Sequence, residues 1–229
     1  MKPHVTVHMI TSVDGRIRTS RWSPFEGRGE YEKVHDLLEG DAWMCGRVTM
    51  SGYARGTAPY PATDERLPRT DHVAKRDAPS YAVALDASGK LVWGRDAIDA
   101  DHLVVVLSEA VPDAHLAGLR HDGVSYVFGG RHEIDFGRVL ESLNREFGIG
   151  RLIVEGGGRI NGSLLKAGAV DELSLLLAPA VDGLAGGGAL FDYDGAPDDA
   201  TAKGLRLTLL SSQPREGGVM WLRYRVDRV

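Results

Sequence analysis

The composition of this chain is that of an ordinary globular protein, with no bias towards a strongly charged partner. It has 229 residues, of which 43% are hydrophobic and 26% are charged, and its formal net charge is −5 at pH 7. We therefore predict one domain over residues 1–229 with a substantial core, and the negative charge disfavours nucleic acid and anionic membranes as partners.

The cysteine content and the N-terminal residues favour a cytoplasmic location. Cys45 is the single cysteine, so no internal disulfide can form and a reducing compartment is favoured. The first 15 residues alternate apolar and polar side chains, which is not the pattern of a signal peptide. No stretch approaches the ~20 apolar residues that would span a membrane. The histidines show no paired ligand spacing, so we predict no metal site.

The first half of the chain predicts short strands, one helix and a long irregular segment. Residues 55–79 are rich in Pro, Arg, Asp and Thr and lack periodicity, which indicates an ordered surface loop or a lid. The regular elements predicted from periodicity and turn residues are a strand at Val5–Met9, a helix at Tyr31–Glu39, a strand at Ala42–Cys45, and a strand at Tyr81–Leu85 that turns towards Lys90–Trp93.

The second half alternates strands with helices and closes with an antiparallel pair. The predicted elements are strands at Leu103–Leu107, Val124–Phe128, Leu152–Val154 and Leu173–Leu177, a helix capped by Asp135 and ended by Gly148, a helix at Ile160–Ala167, and the pair Leu205–Leu210 and Val219–Val226. This order predicts a three-layer α/β/α fold, in which a mostly parallel central sheet carries antiparallel C-terminal edge strands.

The most informative motif is a buried strand followed by glycines and the start of a helix. Leu152–Val154 leads through Glu155 into Gly156, Gly157 and Gly158, and Arg159 and Ile160 then open the helix. Glycines at such a turn let the backbone approach a pyrophosphate, which the N–H groups of the helix start can bind. Asn161 stands where the last glycine of G-x-G-x-x-G would be, so a tight turn without a ligand is the alternative.

Two shorter signals also follow apolar strands. Gly46, Arg47 and Thr49 follow a short strand, where Arg47 offers a planar fork and Thr49 a hydroxyl to a phosphate. Ser108 comes directly after Leu103–Leu107. The alternatives are a plain helix start for the first signal and a helix N-cap for Ser108.

Two carboxyl groups are the candidate catalytic residues. Asp14 and Glu155 each follow a predicted strand, at the edge where open α/β sheets bind ligands. Two carboxyls in one partly desolvated crevice can raise one pKa, which would supply a proton beside a hydride acceptor. The alternatives are a turn aspartate and a buried structural glutamate.

Taken in order, these motifs resemble the dihydrofolate reductase-like superfamily, and most closely the reductase domain of the riboflavin-biosynthesis deaminase/reductase. The matching signs run from Val5 to Leu177. The resemblance implies NADPH as hydride donor, a small-molecule substrate that is a ribosylaminopyrimidine phosphate reduced to its ribityl form, and a homodimer. It further implies these roles: cofactor phosphate contacts for Gly46, Arg47 and Thr49, a 2′-phosphate neighbour in Ser108, the pyrophosphate turn at Gly156, Gly157, Gly158, Arg159 and Ile160, and groups near the nicotinamide and substrate in Asp14 and Glu155.

The chain also departs from that family pattern. Tyr53 stands where the riboflavin reductases usually carry an acidic residue, and residues 55–79 replace their Asp-Pro…Arg stretch. None of Glu32, Asp36 and Glu39 matches the acidic residue that binds the pterin in dihydrofolate reductases, so folate reduction is disfavoured. Two alternatives stay open: an NADPH-dependent reductase of another heterocycle or carbonyl, and a dimeric nucleotide-binding module without turnover.

Overall fold

The computed structural model describes residues 1–196 and 198–228, which divide into two compact units. The first unit comprises Met1–Pro3 and Asp41–Leu152, and the second comprises His4–Gly40 and the described residues from Ile153 onward. Each unit therefore combines two separate stretches of the chain, and the boundary between Leu152 and Ile153 falls within a strand. The prediction of one domain over residues 1–229 stays a prediction.

Ten strands and five α-helices are formed by the described residues. The strands are β1 (His4–Thr11), β2 (Ala42–Gly46), β3 (Tyr81–Leu85), β4 (Ala97–Ile98), β5 (Asp101–Ser108), β6 (Ser125–Gly130), β7 (Arg151–Val154), β8 (Glu172–Leu177), β9 (Leu205–Pro214) and β10 (Met220–Arg228). The helices are α1 (Glu30–Leu37), α2 (Arg47–Met50), α3 (Asp113–His121), α4 (Phe136–Phe147) and α5 (Gly158–Lys166). None of these described helices is long and apolar enough to cross a membrane.

The first unit is built on a mostly parallel sheet. Its strand order is β4-β5-β3-β2, and β6 also pairs with β5. β2, β3, β5 and β6 pair in parallel, whereas the short β4 is antiparallel. The large side chains of Trp93, Tyr126 and Phe128 are fully buried in its core. Because the long strands are parallel, the turns that follow them share one edge of this sheet.

The second unit combines parallel and antiparallel pairing. Its strand order is β7-β1-β8-β10-β9. β1 pairs in parallel with β8, from Thr6 opposite Glu172 to Thr11 opposite Leu177. β10 is antiparallel to both β8 and β9, so the predicted antiparallel pair at the C-terminal edge is confirmed.

The residues predicted to cap the start of helix α4 and to end it do so in the structure. The Asp135 side chain accepts a hydrogen bond from the Arg138 backbone N–H at 3.2 Å, which caps the first turn of α4. Gly148 ends the helix in the left-handed conformation, at φ 69°. The predicted cap and terminator are therefore both confirmed.

One local prediction is wrong, and one helix was missed. Lys90–Trp93 forms no strand beside β3, because β3 lies between β2 and β5 and Val92 instead exchanges backbone hydrogen bonds with Gly56. Helix α3 was not predicted. It begins after Pro112 and contains Gly118, and neither residue strengthens a helical pattern.

Residues 55–79, called the strap below, form an ordered surface segment of the first unit. Arg69 donates to the backbone oxygens of Leu67, Glu109 and Val111 and to the Asp113 carboxylate, which ties the strap to the start of α3. Asp71 accepts from the Phe128 backbone N–H and from the Ser142 hydroxyl. His72 pairs with Tyr126 of β6 through two backbone bonds. These contacts are those of a fixed surface loop, one of the two predicted possibilities.

Candidate active site

The first unit brings the predicted phosphate-binding residues to one edge of its sheet. Gly46 ends β2, Arg47 begins the one-turn helix α2, and Ser108 ends β5. These ends lie near one another because β3 pairs in parallel with both β2 and β5. Arg47 and Thr49 are exposed, whereas Ser108 is buried. The edge therefore presents a guanidinium and a hydroxyl to solvent.

A buried carboxylate lies beside Arg47. Asp86 follows β3, and its Oδ2 accepts backbone hydrogen bonds from Lys90 at 2.7 Å and Leu91 at 2.8 Å. Its Oδ1 lies 4.0 Å from Arg47 Nε and makes no hydrogen bond within the described part of the chain. The negative charge favours the guanidinium at this edge, while half of the Arg47 side chain stays exposed.

The alternative interpretation of Ser108 as a helix cap is wrong. The next helix, α3, begins at Asp113, and Pro112 occupies its N-cap position. The Ser108 backbone N–H donates instead to the Ala87 oxygen at 2.9 Å, which joins the end of β5 to the turn after β3. Ser108 is thus held at the same edge as the turn that carries Asp86.

Three glycines join β7 to α5 in the second unit, and each occupies a different environment. Gly156 has a φ of +88°, and a Cβ there would lie 2.8 Å from Met9 Sδ. A Cβ at Gly158 would collide with the carbonyl oxygen of Ala189. Gly157 is the N-cap of α5 in an extended conformation, and a Cβ there would meet nothing within 4 Å. Of the three, Gly157 therefore borders open space that a ligand could fill.

Arg159 and Ile160 continue the predicted pyrophosphate turn into α5. Arg159 is exposed, with Nη2 3.5 Å from Asp194 Oδ2, and Ile160 is half-buried. The Ile160 N–H bonds the Gly157 oxygen at 3.0 Å. The N–H groups of Gly158 and Arg159 lie in the first helical turn, where the helix itself offers no acceptor.

Asp14 does not have the raised pKa expected of a proton donor. Its carboxylate accepts hydrogen bonds from Ser12 Oγ at 2.6 Å and from the backbone N–H groups of Asp182 at 3.0 Å and Gly183 at 2.8 Å. These donors stabilise the ionised form and hold the pKa of Asp14 well below its usual range. The prediction that Asp14 is a general acid is therefore corrected: it joins the turn after β1 to the segment after β8.

We expect Asp14→Asn to destabilise the protein most at neutral pH. A carboxyl whose pKa is lowered by folding contributes stability above the unfolded-state pKa of about 3.9, and this contribution is lost as the pH falls through the lower folded-state value. The difference in Tm between wild type and variant should therefore shrink in acid. Asp77→Asn, at an exposed position of the strap, is the control. A difference that does not change with pH would contradict the assignment.

Glu155 lies at the end of β7 and is paired with a histidine of α1. The distance between Glu155 Oε1 and His35 Nδ1 is 2.8 Å, and the side chains are 15% and 30% exposed. A carboxylate accepts, so Nδ1 carries the hydrogen of this bond. A mostly buried pair of titratable groups that keeps some exposure to solvent is an arrangement that can hold and release a proton.

A second histidine, His8, lies in a buried chain of hydrogen bonds. Trp221 Nε1 donates to Ser174 Oγ at 2.9 Å, this oxygen lies 3.0 Å from His8 Nδ1, and His8 Nε2 lies 3.2 Å from the Tyr31 carbonyl oxygen. Because the carbonyl can only accept, Nε2 carries the hydrogen and Nδ1 accepts from the serine hydroxyl. Burial lowers the pKa of His8, which favours the neutral ring. The His8 ring, stacked on Tyr31 at 4.4 Å, is thus a neutral support for α1.

A cavity of about 280 Å³ lies beside α1 in the second unit. Its lining combines aromatic faces, a hydroxyl, a guanidinium and a carboxylate, from Ile10, Thr19, Phe25, Arg28, Tyr31 and Glu32. A polar, partly aromatic cavity of this kind suits a small heterocycle with charged substituents.

Sequence reasoning missed His35 and did not assign Glu32. A signal was present, because Tyr31 and Glu32 lie four and three residues before His35, which places each of them beside His35 on the surface of α1. The partner of His35 lies 120 residues later in the chain, which no local pattern reveals.

The fold resembles those of known reductases. The structure superposes on a pyrimidine reductase-like protein from Corynebacterium diphtheriae with a TM-score of 0.72 and 20% identity, covering 99% of this chain and 93% of the other. It superposes on dihydrofolate reductase from Enterococcus faecalis, solved with NADP(H), with a TM-score of 0.51 and 11% identity, covering 98% and 96%. Identities this low show the fold alone, and they confirm the predicted fold class.

The fold is that of the dihydrofolate reductase-like class, and a relative named as a reductase identifies the chain as an oxidoreductase that uses a nicotinamide cofactor and a small-molecule substrate. The family model of the RibD C-terminal domain matches residues 3–221. The chain belongs to this family, as its motifs predicted.

Two relatives carry the same name. The 2,5-diamino-6-ribosylamino-4(3H)-pyrimidinone 5′-phosphate reductase of Methanothermobacter thermautotrophicus is 32% identical over 216 residues, which cover 93% of each chain. That of Aquifex aeolicus is 31% identical over 201 residues, covering 80% of this chain and 79% of the relative. The names of these relatives confirm the prediction of a riboflavin-type reductase.

Proposed function

We propose that this chain reduces a ribosylaminopyrimidinone 5′-phosphate to its ribityl derivative with NADPH as the hydride donor. The observation that carries the proposal is the cavity beside α1, because its side chains match the groups of such a substrate. The aromatic faces of Phe25 and Tyr31 suit a pyrimidine ring, and the Arg28 guanidinium suits a phosphate. The Glu32 carboxylate can accept from ring amino groups.

The chemistry requires a proton as well as a hydride. A nicotinamide cofactor bound in this fold would supply the hydride for C1′ of the ribosyl group. The bond between C1′ and the ring oxygen opens, and that oxygen takes up a proton. Glu155 is the proposed source of this proton, because it is the remaining catalytic candidate and it is paired with a second titratable group. Water then restores the proton to Glu155.

The direct test is a turnover assay with the purified chain. We expect NADPH oxidation to depend on 2,5-diamino-6-ribosylamino-4(3H)-pyrimidinone 5′-phosphate and to yield the ribityl product. NADPH oxidation that depends on other heterocycles or carbonyls, but not on this compound, would support the alternative reductase. The divergent sequence of the strap favours this alternative. Cofactor binding without turnover of any acceptor would overturn the enzymatic proposal.

The preference for NADPH over NADH is proposed to rest on Arg47, with Thr49 and Ser108 as neighbouring hydroxyls. A charge-assisted hydrogen bond to the 2′-phosphate contributes roughly 1.5–3 kcal/mol, or about 10- to 100-fold in affinity. Arg47→Ala should therefore weaken NADPH binding by that factor and leave NADH binding little changed. Calorimetric dissociation constants for both cofactors check this.

Arg95→Ala is the matched control for Arg47→Ala. Arg95 is an exposed arginine of the same unit, but it lies beside β4, which pairs with Asp101 and His102 at the amino end of β5, the opposite end of that strand from Ser108. It should leave both affinities unchanged. Equal affinity of the wild type for NADPH and NADH would show that Arg47 does not select the cofactor.

A homodimer and a cytoplasmic location are further parts of the proposal. Three leucines on the edge strand β9 are about half exposed, Leu207, Leu209 and Leu210, which supports burial against another copy. Cys45, the single cysteine of the sequence, is buried, which is compatible with a reducing compartment. Light scattering of the purified protein measures the oligomeric state.

A further inference from the structure

The imidazole of His35 is the hydrogen-bond partner of the proposed proton source. Its Nδ1 lies 2.8 Å from Glu155 Oε1, and about a third of its side chain is exposed. Because Oε1 accepts this bond, the proton that Glu155 exchanges resides on its other oxygen, Oε2. One histidine bond can therefore persist while Glu155 gains and loses its proton.

The surroundings of His35 allow this bond to persist. His8 of β1 faces it, with ring centroids 6.4 Å apart, but His8 is fully buried, and burial lowers its pKa and favours the neutral ring. A positive charge on His35 therefore meets no like charge from His8. The 3-10 turn Glu26–Gly29, which carries Glu26 and Arg28, also packs against α1, and Glu32 lies one turn earlier on α1 itself. Arg215 and Glu216 pair with Glu30 and Lys33 of α1.

We propose that His35 is a positioning residue for the reduction, whose Nδ1–H group holds the Glu155 carboxyl in one orientation for proton delivery. This inference rests on the proposed function, in which Glu155 supplies the proton. A glutamate side chain has several rotatable bonds, and holding it in the reactive geometry removes an entropic cost from the proton-transfer step. The effect should appear in kcat rather than in binding.

Two substitutions of His35 distinguish a role in orienting the Glu155 carboxyl from a role in carrying the proton. His35→Ala removes the donor and should lower kcat by about 10- to 100-fold, with both KM values within about 3-fold. His35→Asn places an amide N–H where Nδ1–H lies and cannot titrate near neutral pH, so it should recover kcat to within about 5-fold of wild type. Tm values of both variants report any loss of folding.

A titration without substrate tests the pair independently of activity. The His35 imidazole signal, followed by NMR, should titrate at lower pH in Glu155→Gln than in wild type, because the neutral amide no longer stabilises the imidazolium. The exposed His121 should titrate identically in both proteins and serves as the internal control.

The outcomes distinguish the two proposals. Equal losses of kcat in His35→Ala and His35→Asn would show that the histidine itself carries the proton and would overturn the positioning role, as would an unchanged kcat in His35→Ala. A His35 titration insensitive to Glu155→Gln would overturn the pairing. A wild type that oxidises no NADPH with the pyrimidinone, but shows the shifted titration, would refute the proposed function and leave the pairing intact.

Discussion

Gly157→Val should weaken NADPH binding by at least about 10-fold, or 1.4 kcal/mol, while the protein stays folded. The extended backbone of Gly157 accepts a β-branched residue, and its side-chain direction is open. If a pyrophosphate approaches the backbone at this turn, the valine methyl groups would occupy its place. Calorimetric titration of NADPH measures the affinity, and the Tm reports on the fold.

The neighbouring glycine supplies the matched control. Gly158→Ala adds a methyl group that would collide with the Ala189 carbonyl oxygen, so it should lower the Tm by several degrees through overpacking. The two substitutions should therefore separate binding from stability. Undiminished NADPH affinity in a folded Gly157→Val variant would refute the proposed position of the cofactor.

Glu155→Gln should reduce kcat by about 10²- to 10⁴-fold and change NADPH affinity by no more than a few-fold. The amide keeps the shape of the side chain and can still accept from His35, but it has no proton to deliver. Steady-state kinetics with the pyrimidinone phosphate and direct NADPH binding measure the two effects separately.

Glu141→Gln is the control for Glu155→Gln, because Glu141 is an exposed glutamate on α4. It should leave kcat unchanged. If Glu155→Gln turned over at the wild-type rate, water rather than this carboxyl would be the proton source. If it lost cofactor binding as well as kcat, Glu155 would be part of the cofactor site instead.

The regular elements were predictable from sequence wherever local signals agreed. Helix α4 combines an apolar stripe with a capping aspartate and a terminating glycine, and its ends lie where those residues predict. Helix α3 lacks such agreement, and its position is instead set by contacts of Asp113 with Arg69 of the strap. Leu91 and Trp93 are buried as a strand residue would be, yet their segment pairs with Gly56.

The site was predictable in part. The glycine turn and Glu155 follow a strong pattern, because a strand, a tight turn and a helix start are all local. The sign of the Asp14 pKa shift was not predictable, because the N–H groups that stabilise its carboxylate belong to Asp182 and Gly183, far along the chain. His35 was missed for the same reason, since its role depends on a distant partner.

The hydrogen bonds that Arg69 of the strap donates indicate which positions around it can be substituted during evolution without losing those bonds. Arg69 donates to three backbone oxygens, of Leu67, Glu109 and Val111, and every amino acid provides such an oxygen. Substitutions at those three positions therefore leave these acceptors in place, whereas a substitution of Arg69 removes all three bonds together. A segment without helix or strand can thus tolerate sequence drift at the positions that supply only backbone oxygens, while this part of its attachment depends on the Arg69 side chain.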